Sequence, residues 1–200
     1  MDRKQSYENM SDEQLVQVSL ENQDCFYYLM KKYEPRILRY IKRLTNISQD
    51  ESADILQEIF IKVYRNLNGF NQKLKFSSWI YRIAHNEIIN QYHKRKSYSA
   101  MINLNIKDDD VNNMAELVCD TFDVQDDYIF RENTEKVREA LKDLPDKYRE
   151  ILILRFLEDK SYDEISHILR KPAGTVATLI NRAKSKFREI AKHHQLESLI

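Results

Sequence analysis

Glycine is unusually scarce in this chain. Only Gly69 and Gly174 occur among its 200 residues. Glycine supplies many of the backbone conformations that tight turns need, so a chain this poor in it can make few of them. Apolar residues recur instead at the three- and four-residue spacing of helices, and this is the only clear signal of secondary structure in the sequence. The sequence therefore predicts an all-α fold.

The charges are unevenly distributed along the chain. The formal net charge is zero, because 32 basic residues balance 32 acidic ones. Residues 1–100 carry a net +4, residues 101–133 a net −7 and residues 134–200 a net +3. Two mildly basic blocks on either side of an acidic one indicate two modules and a tether rather than a single basic protein.

Helical periodicity fades over the same acidic stretch, which lacks a long apolar face. We therefore expect two small helical domains, at residues 1–97 and 134–200, joined by an acidic flexible linker at residues 98–133. The apolar stripes of the first block are sufficient for one small core. Capping boxes at Ser11–Gln14 and Ser48–Glu51 are predicted to open two of its helices, and Pro35 is expected to kink or divide the helix at residues 24–44.

The composition also narrows the compartment and the chemistry. No apolar run approaches the length of a membrane span, and Met1–Gln5 lacks a signal-peptide core, so we expect a cytoplasmic protein without membrane insertion. Cys25 and Cys119 stand in no metal or redox spacing and are expected to be reduced thiols. No metal or other cofactor is expected.

Residues 52–65 are predicted to form a helix, the first that is informative about function. At 100° per residue, one broad apolar arc comprises Ile55, Leu56, Ile59, Phe60, Val63 and Leu67. Asp54, Glu58 and Arg65 lie on the opposite side, together with the apolar Ile61. An apolar side chain among acids favours a docking patch for a basic partner over a merely solvated face.

Residues 76–96 form a different helix, which ends in the basic triplet Lys94–Lys96. Its predicted core stripe is Phe76, Ile80, Ile83, Ala84 and Ile88, with Glu87 intruding. The residues expected on the outer side are Arg82, His85, Asn86, Ile89 and His93. Aromatic rings beside amides and cations suit unpaired bases. An ordinary amphipathic helix with a cationic C-terminal end explains the pattern equally well.

The C-terminal block ends in a short helix, a turn and a longer helix. A capping box at Ser161–Glu164 opens the short helix, and the longer one begins at Gly174–Thr175. Its outward side carries Thr175, Thr178, Asn181, Arg182 and Ser185, flanked by Lys184, Lys186 and Arg188. This arrangement favours a DNA-binding helix-turn-helix at residues 161–188 over a plain helical hairpin.

With both halves considered, the chain resembles a sigma factor of bacterial RNA polymerase, of the small extracytoplasmic-function type. Residues 54–60 followed by residues 76–86 are similar to that family's second conserved region. Residues 144–150, 161–165 and 174–176 resemble its fourth. Two motifs in this order and separation are far more specific than either one alone.

The resemblance implies two contacts with the polymerase. The helix with Asp54, Gln57, Glu58 and Ile61 would dock on the basic coiled coil of the β′ subunit. The first helices of the C-terminal domain would touch the β flap, and the acidic linker would run through the channel from which RNA later leaves. An inhibitory anti-sigma factor is a further partner expected from the family.

The resemblance also implies contacts with promoter DNA, both unpaired and duplex. The loop at Phe70, with Asn86, would capture a flipped base of the −10 element. Trp79, Tyr81 and Arg82 would help to hold the opened strand. The remaining residues assigned to the −10 element are His93, Lys94 and Arg95. Those assigned to the −35 element are Arg170, Lys171, Thr175, Thr178, Asn181, Arg182, Lys184 and Lys186.

The longer helix departs from its relatives at two positions. They usually carry basic residues where Ala177 and Leu179 stand, and a bidentate arginine contact is worth about 1–3 kcal/mol of base discrimination. We therefore expect duplex binding here but no inherited −35 sequence. Arg170 and Lys171 in the turn are candidates to compensate.

Two other classes of protein remain open. An ordinary helix-turn-helix regulator would bind duplex DNA without polymerase, but leaves the Trp79 helix and the Phe70 loop without a role. An enzyme is disfavoured because His85 and His93 lack a suitably placed acid and the chain has no glycine-rich phosphate loop. We therefore expect neither catalysis nor a small-molecule substrate.

Overall fold

The fold is described by a computed structural model that covers Tyr7 and residues 10–45, 47–102, 136–194 and 196. Within these residues every regular element is helical, which confirms the all-α prediction. No helix in this part of the chain is long and apolar enough to cross a membrane.

The N-terminal half contains four helices. They are α1 (Asp12–Glu21), α2 (Phe26–Leu44), α3 (Gln49–Asn66) and α4 (Phe76–Ile102). The capping boxes predicted from sequence open α1 and α3. In each, a serine hydroxyl accepts a hydrogen bond from the third helical amide, and the side chain at that position accepts one from the serine amide. These bonds satisfy amides that a helix start leaves without partners.

Helix α2 is continuous through Pro35, which we expected to kink or divide it. A proline inside a helix removes one backbone hydrogen bond. Tyr33 and Ile37, on either side of it, are fully buried, and this packing holds the helix in one piece. The division predicted from the proline alone is therefore wrong.

The C-terminal half begins with a short helix at residues 136–142, named α5. It is followed by α6 (Asp146–Leu152), α7 (Tyr162–Leu169) and α8 (Ala173–His193). Helix α6 ends in a π turn over Ile153–Leu157. Pro145 and Pro172 directly precede the first turns of α6 and α8, where an absent amide hydrogen costs nothing.

The turns of this half do not depend on glycine. The residues with left-handed backbone are Asp159 (φ 49°), after the π turn, and Arg170 (φ 52°), after α7. Gly174, expected at the start of the longer helix, lies in the first turn of α8. Two glycines are therefore enough, because an aspartate and an arginine take the conformations that glycine usually adopts.

The chain divides into two compact units, each described here by itself. One comprises residues 1–107 and 163–171, and the other residues 108–162 and 172–200. The expected linker starts at residue 98, whereas α4 continues to Ile102. The rest of that linker, including Cys119, lies outside the described residues, and the predicted domain limits stay a prediction. Cys25 is a buried free thiol.

Candidate functional site

The predicted docking face lies on the outer side of α3. Asp54, Gln57 and Glu58 are exposed, and Ile61 is half-buried. The opposite side of the helix, including Ile59 and Val63, is fully buried in the core of the first unit. Burial of one side holds the helix in place and leaves the carboxylates of the other side in solvent.

An open groove of about 690 Å³ adjoins this face, between α2 and α3. Its lining residues are Phe26, Met30, Glu34, Ala53, Leu56, Gln57, Phe60, Ile61, Tyr64 and Arg65. The rings of Phe26 and Tyr64 are 5.1 Å apart at its edge. Gln57 and Ile61 belong to both surfaces, so the acidic face continues into an apolar groove.

Sequence reasoning missed most of this groove. Met30 and Tyr64 were not singled out as surface residues, because they lie on different helices that only the fold brings together. The one available signal was Ile61, an apolar side chain on a polar face. Ile61 is half-buried and is one of the residues that line the groove.

Three aromatic residues assigned to the −10 element are buried instead of exposed. The solvent-exposed fractions of Phe70, Trp79 and Tyr81 are only 8%, 7% and 2%. The ring centres of Phe70 and Trp79 are 5.4 Å apart, and both rings contact Phe76. Tyr81 packs on Tyr40 of α2 at 5.2 Å.

The expectation that these rings offer stacking faces at the surface is therefore corrected. Apolar burial of an aromatic side chain is favourable by several kcal/mol in rough terms, so the rings stabilise the core of the first unit. In this conformation the rings hold α4 and the loop before it in place.

His85 is a second correction on α4. We expected it on the outer side, but it is 9% exposed, and its Nδ1 lies 3.0 Å from the Tyr40 hydroxyl. Burial lowers the pKa of His85 from 6.5 to about 4, so the ring is neutral at physiological pH. It therefore offers no charge to a nucleic acid.

The residues that α4 does expose on its outer side are polar. Asn86 and Lys94 are exposed, and Arg82 is half-buried. The side chains of His93 and Arg95 lie outside the described residues. An amide followed by cations along one helix can still bind an unpaired strand through base edges and phosphates.

Glu87, which intruded into the predicted core stripe, has partners there. Its carboxylate is ion-paired with Lys62 of α3 and accepts a hydrogen bond of 2.9 Å from Gln91. Burial alone would raise the pKa of Glu87, but these two hydrogen bonds and the positive charges of Lys62 and Lys94 together outweigh it and hold the pKa below its usual range. Glu87 is therefore a structural acid that fastens α3 to α4.

Helix α8 exposes every residue that was assigned to duplex DNA on it. Thr175, Asn181 and Arg182 are exposed, whereas Val176 and Ile180 on the opposite side are fully buried. The other exposed members of the set are Thr178, Lys184 and Lys186. The predicted orientation of this helix is therefore confirmed.

Some of these side chains already have partners within the helix. The Thr178 hydroxyl donates to the Gly174 carbonyl at 2.9 Å. Lys186 pairs with Glu189 at 2.7 Å. Asn181 and Arg182 extend from the exposed side. Ala177 and Leu179 are half-buried beside them.

The turn before α8 also presents cations. Arg170 and Lys171 are both exposed. The Lys171 amide donates to the Ser166 carbonyl at 3.2 Å, and the Ser166 hydroxyl donates to the Lys171 carbonyl at 2.5 Å. The backbone of the turn is thus fixed while its two charges remain in solvent.

No metal centre is formed by the part of the chain that the structure describes. Within it, no three His, Cys, Asp or Glu side chains come together as metal ligands would.

Comparison with protein families gives two matches along the chain. Residues 29–98 match the model described as Sigma-70 region 2, and residues 134–187 match the one described as Sigma-70, region 4. The two matches occupy the helices that carry the α3–α4 surfaces and the α8 surface.

Curated relatives match over most of their length. The extracytoplasmic-function (ECF) RNA polymerase sigma factor SigW of Bacillus subtilis is 31% identical over 182 residues, which cover 91% of this chain and 97% of SigW. The RNA polymerase sigma-H factor of Pseudomonas aeruginosa is 32% identical over 174 residues, covering 86% of this chain and 90% of that protein.

Solved structures share the fold at lower identity. CnrH, in complex with the cytosolic domain of CnrY, has a TM-score of 0.65 at 20% identity, covering 91% of this chain and 97% of CnrH. The sigma factor RpoE of Bartonella quintana, in complex with the anti-sigma factor NepR, has a TM-score of 0.62 at 20% identity, covering 84% of this chain and 96% of RpoE.

Proposed function

Because the chain belongs to the extracytoplasmic-function sigma factors of bacterial RNA polymerase, we propose a role for each of its exposed surfaces in transcription initiation. Sigma factors act as regulatory subunits, and the polymerase carries out the chemistry. The observation that carries the proposal is that the chain has an acidic face on α3 and, in its other unit, a cationic, amide-bearing face on α8.

The α3 face docks on core polymerase. Asp54 and Glu58 offer charge to the basic β′ coiled coil, and Ile61 leads into the apolar groove beside them. Charged pairs at an interface guide association and orientation, while a buried apolar contact supplies much of the affinity. A surface with both properties suits a basic amphipathic helix.

The α4 and α8 faces bind promoter DNA. On α4, Arg82, Asn86 and Lys94 hold the unpaired strand at the −10 element, with Phe70 and Trp79 supporting the loop from below. On α8, Asn181 and Arg182 reach base edges of the −35 duplex. The cations that flank them, and those of the preceding turn, contact phosphates.

An anti-sigma factor is part of the same proposal. The solved complex of RpoE contains the anti-sigma factor NepR, and that of CnrH contains the cytosolic domain of CnrY. For this chain we expect an inhibitor that covers the α3 face or the groove, since core polymerase then cannot bind. We expect the chain to act in the cytoplasm, where a membrane-anchored inhibitor would hold it until release.

Gel filtration of the chain with bacterial core polymerase tests the docking proposal. Glu58→Lys reverses one charge of the α3 face, and Glu21→Lys makes the same change at an exposed position of α1. We expect wild type and Glu21→Lys to co-elute with core polymerase and Glu58→Lys to elute alone. Absence of co-elution by wild type, with tight duplex binding by the chain alone, would support the ordinary regulator instead.

A further inference from the structure

A series of cations and aromatic rings lies beside α8 in the second unit. Phe156 and Tyr162 are exposed, at 54% and 39%, although both are large and aromatic. Phe156 belongs to the π turn that ends α6. Such turns occur frequently at functional sites, because they displace side chains from the regular helical positions. None of the surfaces described so far uses these residues.

The contacts connect these rings to the DNA-facing helix. The Arg155 guanidinium carbon lies 5.7 Å from the ring centre of Tyr162 and 6.0 Å from that of Phe156. Arg155 is fixed further by a hydrogen bond of 2.9 Å to the Lys160 carbonyl. On the α8 side, Lys184 Nζ lies 5.1 Å from the ring centre of Phe156. All three distances suit cation–π attraction.

Lys184 occupies the flank of α8 between its buried and its outward side. At 3.6 residues per turn it lies about 70° from the midline of the buried residues Val176, Ile180 and Ala183. When a helix enters a major groove, its outward side meets base edges and its flanks meet the sugar-phosphate backbone. The charge of Lys184 is therefore placed for a phosphate.

A lysine ammonium on a flexible four-carbon stem loses conformational entropy when a phosphate fixes it. A ring that already limits the positions of the stem reduces this loss, which strengthens binding without a new contact to the ligand. Phe156 is in position to act in this way, and Arg155 in turn restrains Phe156.

We propose that Phe156 positions Lys184 for a DNA phosphate, and that Arg155 and Tyr162 hold the Phe156 ring in place. The inference rests on the proposed function, since it requires α8 to bind duplex DNA. Phe156 is a positioning residue and does not itself touch DNA. Phosphate contacts are independent of sequence, so a duplex of mixed sequence is a sufficient probe.

The test measures binding of the full-length chain to a fluorescently labelled duplex of mixed sequence over a range of salt concentrations. Lys184→Ala should reduce the slope of log affinity against log salt by about 0.9, the value for one phosphate. Phe156→Leu keeps apolar bulk but removes the ring, and should weaken binding about two- to fivefold at fixed salt. Phe156→Trp should restore the affinity.

The double variant separates positioning from a general structural role. In the Lys184→Ala background, Phe156→Leu should have no further effect on affinity. An equal loss in both backgrounds would overturn the proposal, because it would show that the ring acts independently of Lys184.

Arg182→Ala distinguishes this inference from the proposed function. If Arg182→Ala weakens binding while Lys184→Ala leaves affinity and slope unchanged, only the role of Phe156 and Lys184 fails. If Arg182→Ala also binds like wild type, the placement of α8 on duplex DNA fails, and this inference fails with it.

Discussion

Lys62 of α3 and Glu87 of α4 form an ion pair that joins the proposed docking helix to the proposed strand-binding helix. Glu87 is buried, whereas Lys62 is partly exposed at the edge of the contact. Because the pair connects the two helices, it fixes the position of one proposed binding surface relative to the other within the first unit.

Loss of Glu87 should destabilise the first unit. Glu87→Ala leaves Lys62 and Gln91 without their acceptor and should lower the free energy of unfolding by about 1–3 kcal/mol in urea denaturation. Glu58→Ala, at an exposed position of α3, should change it by no more than about 0.5 kcal/mol. Equal effects of the two substitutions would show that the pair adds nothing to stability.

The first unit should lose stability in mild acid through His85. Its pKa is about 4 in the folded chain against 6.5 for an unperturbed histidine, so between these values the unfolded chain binds the additional proton. The contribution of the neutral ring is complete above about pH 6.5 and falls by up to roughly 3 kcal/mol as the pH approaches 4.

Urea denaturation at a series of pH values measures this decline. His85→Phe should show a shallower loss of stability between pH 6.5 and 4, because no proton is taken up at that position on unfolding. Glu87 affects stability at a lower pH than His85 does. Its lowered pKa gives stability that is present above the ordinary glutamate pKa and lost as the pH falls below it. An unchanged pH profile in His85→Phe would contradict the role given to His85.

The apolar groove should contribute to polymerase affinity. Tyr64→Ala removes a groove-lining ring and should weaken binding to core polymerase about tenfold, the effect of a moderate interface residue. Tyr27→Ala removes a ring that is 56% exposed on α2 and does not line the groove. Titration of labelled chain with core polymerase should distinguish the two, and equal affinities would remove the groove from the interface.

The turn before α8 should contribute charge but no sequence preference. Arg170→Ala with Lys171→Ala should weaken binding to duplex DNA about uniformly across sequences and reduce the salt slope by up to about 1.8, the value for two phosphates. The control changes the exposed Lys31 and Arg39 of α2 to alanine. A loss confined to one promoter sequence would show that the turn reads bases.

Much of the fold follows from local sequence signals. Capping boxes at Ser11 and Ser48 open α1 and α3 as predicted, and the buried stripe of α8 was visible in its periodicity. These features depend on residues three or four positions apart, which a single sequence displays directly.

The orientation of Tyr81 and His85 could not be obtained in this way. Both α2 and α3 contact α4, so the buried arc of α4 is wider than one apolar stripe. Tyr40 of α2 packs against the Tyr81 ring and is within hydrogen-bond distance of His85. Nothing in the local sequence of α4 indicates that Tyr40 is the partner. The groove was hidden for the same reason, because its lining comes from two helices.

In vitro transcription of a random-sequence DNA library by core polymerase, with and without the chain, tests the central claim most directly. We predict that transcripts made with the chain start downstream of two short recurring blocks, near −10 and −35, and that Glu58→Lys abolishes this selection. Transcripts that show no such blocks when the wild-type chain is present would contradict the account of this protein as a polymerase subunit.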